Sequence, residues 1–233
     1  MAKSGTLTIP EIPMPRGATT HEIVYARLRQ AIMTGSIAPG TVVTMRGLAE
    51  HLRVSPTPIR EAVRQLGSEN ALEAMGNRRY RIPPMTAGRF EELLLLRIAV
   101  EVHAAERALP YVSGVLMDRL QAVDAEMDAV LEAEDLDRLT LLNQRFHRLL
   151  YTCNPHQAAM PMVESVWLQL GPFQRQVIRD VKSYYVVDRH KEIVAALERR
   201  DAAMLALAVE SDIRDTLARA GRAHLMQALR DAG

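Results

Sequence analysis

Apolar residues at spacings of three and four dominate this chain and divide it into helices with short connections. Thr19-x-x-Glu22 has the form of a capping box and opens a helix whose stripe is Val24, Leu28, Ala31 and Ile32, ended by Gly35. Pro39-Gly40 turns the chain, and a helix from Met45 to Leu52 carries Leu48, Ala49 and Leu52 inward. Only Arg53 separates it from Val54-Ser55. Ser55 reads as the N-cap of the next helix, with Pro56 and Pro58 in its first turn, where a missing N–H costs little. In that helix Ile59, Val63 and Leu66 point one way while Arg60 and Arg64 stack on the opposite side. Two helices joined so tightly, the second bearing outward arginines, make a helix-turn-helix.

Runs at 71–75 and 78–82 flank Gly76-Asn77, a dipeptide suited to positive φ, and predict a small hairpin carrying Arg78, Arg79, Tyr80 and Arg81. This hairpin is the expected wing. Pro83-Pro84 ends it, and from Thr86 onward helical periodicity predicts helices near 86–109, 114–133, 135–152, 157–180, 186–199 and 201–229. Six or seven amphipathic helices with short connections form an antiparallel bundle, whose interior is a common place for a ligand or metal. The expected fold is mainly α: a flexible tail over 1–18, a winged helix-turn-helix over 19–84 and an all-helical domain over 85–233.

Charge supports this division. Residues 1–86 carry 11 Lys and Arg against 6 Asp and Glu, whereas residues 87–233 carry 18 against 22, so a net charge of +1 hides a basic amino-terminal third. Segregated basic charge is expected of a nucleic-acid footprint joined to a domain with another task. No apolar run approaches the ~18 residues of a membrane span, since Arg97 cuts off 93–96. The first residues lack the apolar core of a signal peptide, and the single cysteine, Cys153, excludes an internal disulfide and suits a reducing cytoplasm.

The run 25–86, centred on Val54-Ser55-Pro56-Thr57-Pro58-Ile59-Arg60-Glu61-Ala62, resembles the winged helix-turn-helix of GntR-family transcriptional regulators. The resemblance implies operator contacts from Arg46, Thr57 and Arg60 and from the wing around Asn77 and Arg78, with Ser55, Arg64 and Arg79 beside them. Two departures stand out: Pro56 replaces an arginine that contacts DNA in many members, and Arg79 replaces a wing glycine. Thr57 and Arg60 are expected at base edges, and Arg46, Arg78 and Arg79 at phosphates. A single module makes few contacts, so a homodimer reading an inverted repeat is expected.

Within the bundle, Asn143 and His147 lie four apart beside the stripe of Phe146 and Leu150. His190 lines up with Ile193, Val194 and Leu197, and Asp212 follows Leu205, Ala208 and Val209 on an apolar face. Residues 90–228 resemble the FCD ligand-binding domain of the FadR subfamily, through Leu96-Arg97-x-x-Val100-Glu101, Asn143-x-x-Phe146-His147 and the helix opened by His190. In many members an aspartate and three histidines hold a divalent metal; here Asn143 stands for that aspartate and Asp212 for the last histidine. One carboxylate, two imidazoles and an amide oxygen can still bind a divalent ion, zinc or a harder ion such as manganese. Arg97 has two readings, a bidentate clamp for the carboxylate of a small organic acid effector, or an intrahelical partner of Glu101. The expected function is a ligand-responsive regulator, a repressor, and not an enzyme. The alternative is a metal-dependent enzyme using His147, His190 and Asp212, for which no general base is evident beside them.

Overall fold

The computed structural model describes residues 9–178 and 189–232. The chain forms two compact units, one of Met1–Met85 with Trp167–Gln176 and one of Thr86–Val166 with Val177–Gly233.

In the first unit, helix α1 (Thr20–Met33) begins at the Thr19 capping box, with the hydroxyl accepting from the Glu22 amide and the Glu22 carboxylate accepting from the Thr19 amide. Helix α2 (Met45–Leu52) ends at Arg53, whose φ of 55° turns the chain sharply into α3 (Pro56–Ser68). Strands β2 (Glu73–Ala74) and β3 (Arg79–Arg81) form the wing hairpin, and Gly76, Asn77 and Arg78 all take positive φ in its turn. A third strand, β1 (Val42–Thr44), pairs antiparallel with β3, with Val43 opposite Tyr80, and gives the order β1-β3-β2. Three residues between a turn and a helix are too short a run for alternation to reveal.

Val24, Leu28, Ile32, Leu48, Ile59, Val63, Leu66 and Ile82 build the core of this unit, and Leu168 joins them. Gly171 explains how residues 167–176 enter a unit so far away in sequence. A Cβ at this position would lie 2.3 Å from the Met33 carbonyl oxygen, so only glycine lets the two backbones approach. The expected flexible tail needs correction over the part described. Ile9 is buried, and Arg27 donates to the carbonyls of Pro10 and Ile9, because an apolar side chain near the amino end completes the core. Residues 1–8 lie outside the described residues.

The second unit contains α4 (Ala87–Ala108), α5 (Gly114–Glu132), α6 (Leu136–Tyr151), α8 (Arg189–Glu198), α9 (Ala202–Ile213) and α10 (Arg219–Ala232). Helix α7 (Met160–Val177) starts in it and contributes Trp167–Gln176 to the first unit. Within the second unit α5 packs on α6, α9 packs on α8 and α4, and α4 packs on α6, so the interior is reached from several helices at once. The helix expected over 201–229 is interrupted. A π-helical stretch, Arg214–Ala218, separates α9 from α10, and the Thr216 hydroxyl donates to the Asp212 carbonyl there. Such bulges are frequent at functional positions. The expected end of the 157–180 helix and start of the 186–199 helix fall partly outside the described residues.

Candidate nucleic-acid interface and buried polar centre

Helix α3 is held in one rotation by Ile59, Ala62, Val63 and Leu66, each fully buried. A 3.6-residue period then forces Thr57, Arg60 and Arg64 outward, and all three are exposed. Arg64 pairs with Glu61 at 3.1 Å, and Arg46, at the start of α2, pairs with Glu50 at 2.7 Å. Pairs this exposed contribute about 0–1 kcal/mol, so they give way readily to a phosphate. Arg60, Arg78, Arg79 and Asn77 are exposed, and none of the three arginines has a side-chain partner among the described residues.

Ser55 differs from expectation. It occupies the N-cap position of α3 with extended backbone, but its hydroxyl makes no capping bond. An N-cap oxygen accepts from the N2 or N3 amide, and N3 here is Pro58, which has none. The exposed hydroxyl is left to other partners.

In the second unit the structure brings His147, His190 and Asp212 together, with one donor atom of each within 4.8 Å of the others. They come from α6, α8 and α9, and both rings are fully buried. Asn143 joins them, its side-chain nitrogen 3.1 Å from His190 Nε2. The Phe146 ring lies edge-on to both imidazoles, with centroids 5.5 and 4.6 Å away, and walls the cluster on that side.

Two residues that do not stand out in the sequence complete the network. The Tyr151 hydroxyl donates to Glu101 Oε2 at 2.9 Å, and lies 3.1 Å from His147 Nδ1. With its proton committed to Glu101, the hydroxyl can only accept from His147, so Nδ1 carries a proton and Nε2 is the atom turned toward Asp212. That Nε2 stands 3.2 Å from Asp212 Oδ2 but off the direction of a hydrogen bond, and it is a buried nitrogen without a hydrogen-bond partner among the described residues. A buried nitrogen and a buried carboxylate held this close without a hydrogen bond leave a position that a cation would satisfy.

Asp124 is the other addition. Its carboxylate is buried 3.7 Å from His190 Nδ1, on the side of the ring away from Asn143. A clue to Tyr151 is its spacing of four from His147 on one helix, whereas α5 offers no pattern that singles out Asp124.

Arg97 takes the intrahelical reading. It is buried and donates from Nε to Glu101 Oε1 at 2.7 Å, so the expected open clamp for an effector carboxylate is already engaged on that edge. Burial works against the Arg97 charge, but Glu101 and Asp212 together raise it above the usual guanidinium range. For Asp212, burial alone pushes the carboxyl up, but His147, His190 and Arg97 pull it down to about 2. Burial and the neighbouring Glu101 push the Tyr151 hydroxyl well above its ordinary value, which keeps it a donor. The centre is therefore an ionised carboxylate and two imidazoles behind an Arg97–Glu101–Tyr151 chain. This donor set suits a divalent metal, two nitrogen donors and one oxygen donor from three helices.

The bacterial regulatory protein family gntR matches residues 20–82, and the FCD domain family matches residues 92–215. Among curated relatives, the transcriptional regulator McbR of Escherichia coli K12 is 25% identical over 181 residues, covering 75% of this chain and 80% of the relative. The gluconate operon transcriptional repressor of Bacillus subtilis 168 is 24% identical over 227 residues, covering 92% of this chain and 90% of its own. Among solved structures, E. coli McbR/YncC superposes with a TM-score of 0.82 at 20% identity, covering 89% of this chain and 99% of the other. A regulator from Rhodococcus sp. RHA1 superposes with a TM-score of 0.71 at 22% identity, over 87% and 98% of the two chains.

Proposed function

Since the chain belongs to the GntR family of bacterial regulatory proteins and carries an FCD domain, we propose that this transcriptional regulator is a cytoplasmic, homodimeric repressor that senses a small organic acid through its helical domain. On the DNA side, Thr57 and Arg60 approach base edges from the fixed outer face of α3, while Arg46, Arg78 and Arg79 meet phosphates. Two copies read an inverted repeat, because one module makes too few contacts for operator specificity. Among the described residues no helix is long and apolar enough to cross a membrane. The enzyme alternative is not retained, since the gntR family is one of bacterial regulatory proteins and the curated relatives are transcriptional regulators.

The observation that carries the sensor half is the unpartnered His147 Nε2 facing Asp212. His147, His190 and Asp212 would hold a divalent ion, with Asn143 turning its amide oxygen toward it. An ion there supplies positive charge and open coordination positions for an acid's oxygens. With Asn143 and Asp212 in place of the family's aspartate and last histidine, the set keeps one carboxylate but loses an imidazole, which weakens preference for zinc relative to harder ions such as manganese. Arg97, with one edge engaged by Glu101, adds positive charge beside Asp212. Effector binding changes the populations of the bundle's arrangements, and a coupling of ~1–3 kcal/mol changes operator affinity about 5- to 150-fold.

The test is a thermal-shift screen of the metal-stripped protein against zinc, manganese and magnesium, each alone and with a panel of small carboxylic acids. At a hundred times the dissociation constant a ligand stabilises by about 2.7 kcal/mol, a shift of several degrees. A stabilising ion, further stabilisation by one class of acid and no turnover of that acid support the reading. No shift with any ion or acid overturns the sensor, and consumption of the acid revives the enzyme.

A further inference from the structure

Among the described residues six non-glycine residues adopt left-handed backbone, Arg53, Asn70, Asn77, Arg78, Glu134 and Arg200. A side chain other than Gly, Asn or Asp costs free energy there, so each of the others needs a reason. Arg200 has an internal one: its guanidinium donates to the carbonyls of Leu109 and Val112 at 2.7 and 2.6 Å. Glu134 also has a partner within the molecule. Arg53 and Arg78 are exposed and have none among the described residues. Both belong to the amino-terminal unit, and both flank α2, since the Arg78 carbonyl accepts from the Met45 amide at its start while Arg53 caps its end. Arg78 is already placed at the DNA by its position in the wing.

The element that follows Arg53 has an unusual deficit. A helix start normally offers four free amides to a phosphate, at the N-cap and the first three positions. In α3 two of the four are Pro56 and Pro58, which have no N–H. The positive end of this helix therefore offers a phosphate half the usual backbone donors, a deficit that a neighbouring cation would offset. Arg53 is two residues before the Ser55 N-cap, at a sharp turn, with its side chain in solvent.

We propose that Arg53 is a DNA-phosphate contact at the amino end of the recognition helix, kept in a strained backbone position because its guanidinium replaces the amides that Pro56 and Pro58 remove. This rests on the DNA-binding reading of the amino-terminal unit and adds to it a contact that Arg60 and the wing do not supply. Such a contact strengthens binding to every duplex and carries no sequence information itself.

The test uses the full chain, a random-sequence duplex and a tight-binding duplex selected from a random pool, titrated over a range of salt. Arg53→Gly relieves the left-handed strain, so its Tm is expected at or above the parent's. Both duplexes should bind more weakly by a similar factor, and the slope of log affinity against log salt should fall by about one for each bound copy of the chain. Arg53→Lys should keep the parent's salt slope. A folded Arg53→Gly with the parent's affinity and slope overturns the proposal. So does a lowered Tm accompanying the loss, which would make Arg53 a structural residue. A parent chain that binds neither duplex overturns the DNA-binding reading itself, and the proposal with it.

Discussion

The outer face of α3 and the centre of the helical bundle hold their polar groups in opposite ways. On α3 the buried side is wholly apolar, and its arginines stand in solvent, unpaired or in weak exposed pairs. In the bundle Arg97, Glu101, His147, Tyr151 and Asp212 are all buried and joined to one another, with one nitrogen left over at His147. Exposed charges cost the fold almost nothing and wait for a polyanion, whereas buried ones must be neutralised in place. On the proposed reading, the first region meets a large polyanion and the second a small ion and acid.

The strongest way to break this comparison is to remove the imidazoles. The double substitution His147→Ala and His190→Ala should abolish retention of a divalent ion on purification while leaving helix content intact, measured by elemental analysis and circular dichroism. Equal metal content in mutant and parent would remove the bundle from the comparison. Next in size, Arg60→Ala should lower affinity for a selected operator by about 1–3 kcal/mol and relax discrimination, read by titration of matched and mismatched duplexes. Tyr151→Phe leaves both imidazoles in place but releases the His147 tautomer, so ion affinity by calorimetry should fall about 10- to 100-fold with DNA binding of the metal-free protein unchanged.

Acid titration separates the regions at smaller scale. Asp212 is held at about 2 in the fold against an ordinary value of 3.8, so its contribution to stability is complete above pH 4 and is lost as pH falls toward 2. That contribution is about 2 kcal/mol, and it should be missing from the acid branch of a denaturation series on metal-free Asp212→Asn. Smallest is Arg79→Ala, which should weaken all duplexes alike and lower the salt slope by about one.

The two regions also differ in how far the sequence discloses them. Helix α3 is legible because every determinant is local: Ile59, Val63 and Leu66 fix its rotation, and Arg60 follows by geometry. The capping box of α1 and the positive φ at Gly76-Asn77 are legible for the same reason. Even here, Ser55 fails as a side-chain cap because the usual rule assumes an amide that Pro58 lacks. The bundle centre is assembled from residues as far apart as Arg97 and Asp212; Asp124 has no local signature, and Tyr151 offers only its spacing of four from His147. Resemblance to a family pattern points to His147, His190 and Asp212. It does not reveal that Arg97 turns to Glu101, or that Tyr151 sets the histidine's proton. The joining of Trp167–Gln176 to the first unit depends on one close approach, Gly171 against Met33, that no periodicity encodes.

The central claim is that the outer face of α3 reads duplex sequence and that the buried centre governs how well. It is tested most directly by selecting duplexes from a random pool with the full chain at physiological ionic strength, with and without divalent ion and candidate acids. The account predicts an enriched inverted repeat bound about 1,000-fold or more above random duplex, with an affinity that changes when ion and acid are added. A pool that emerges without enrichment under every condition would contradict it.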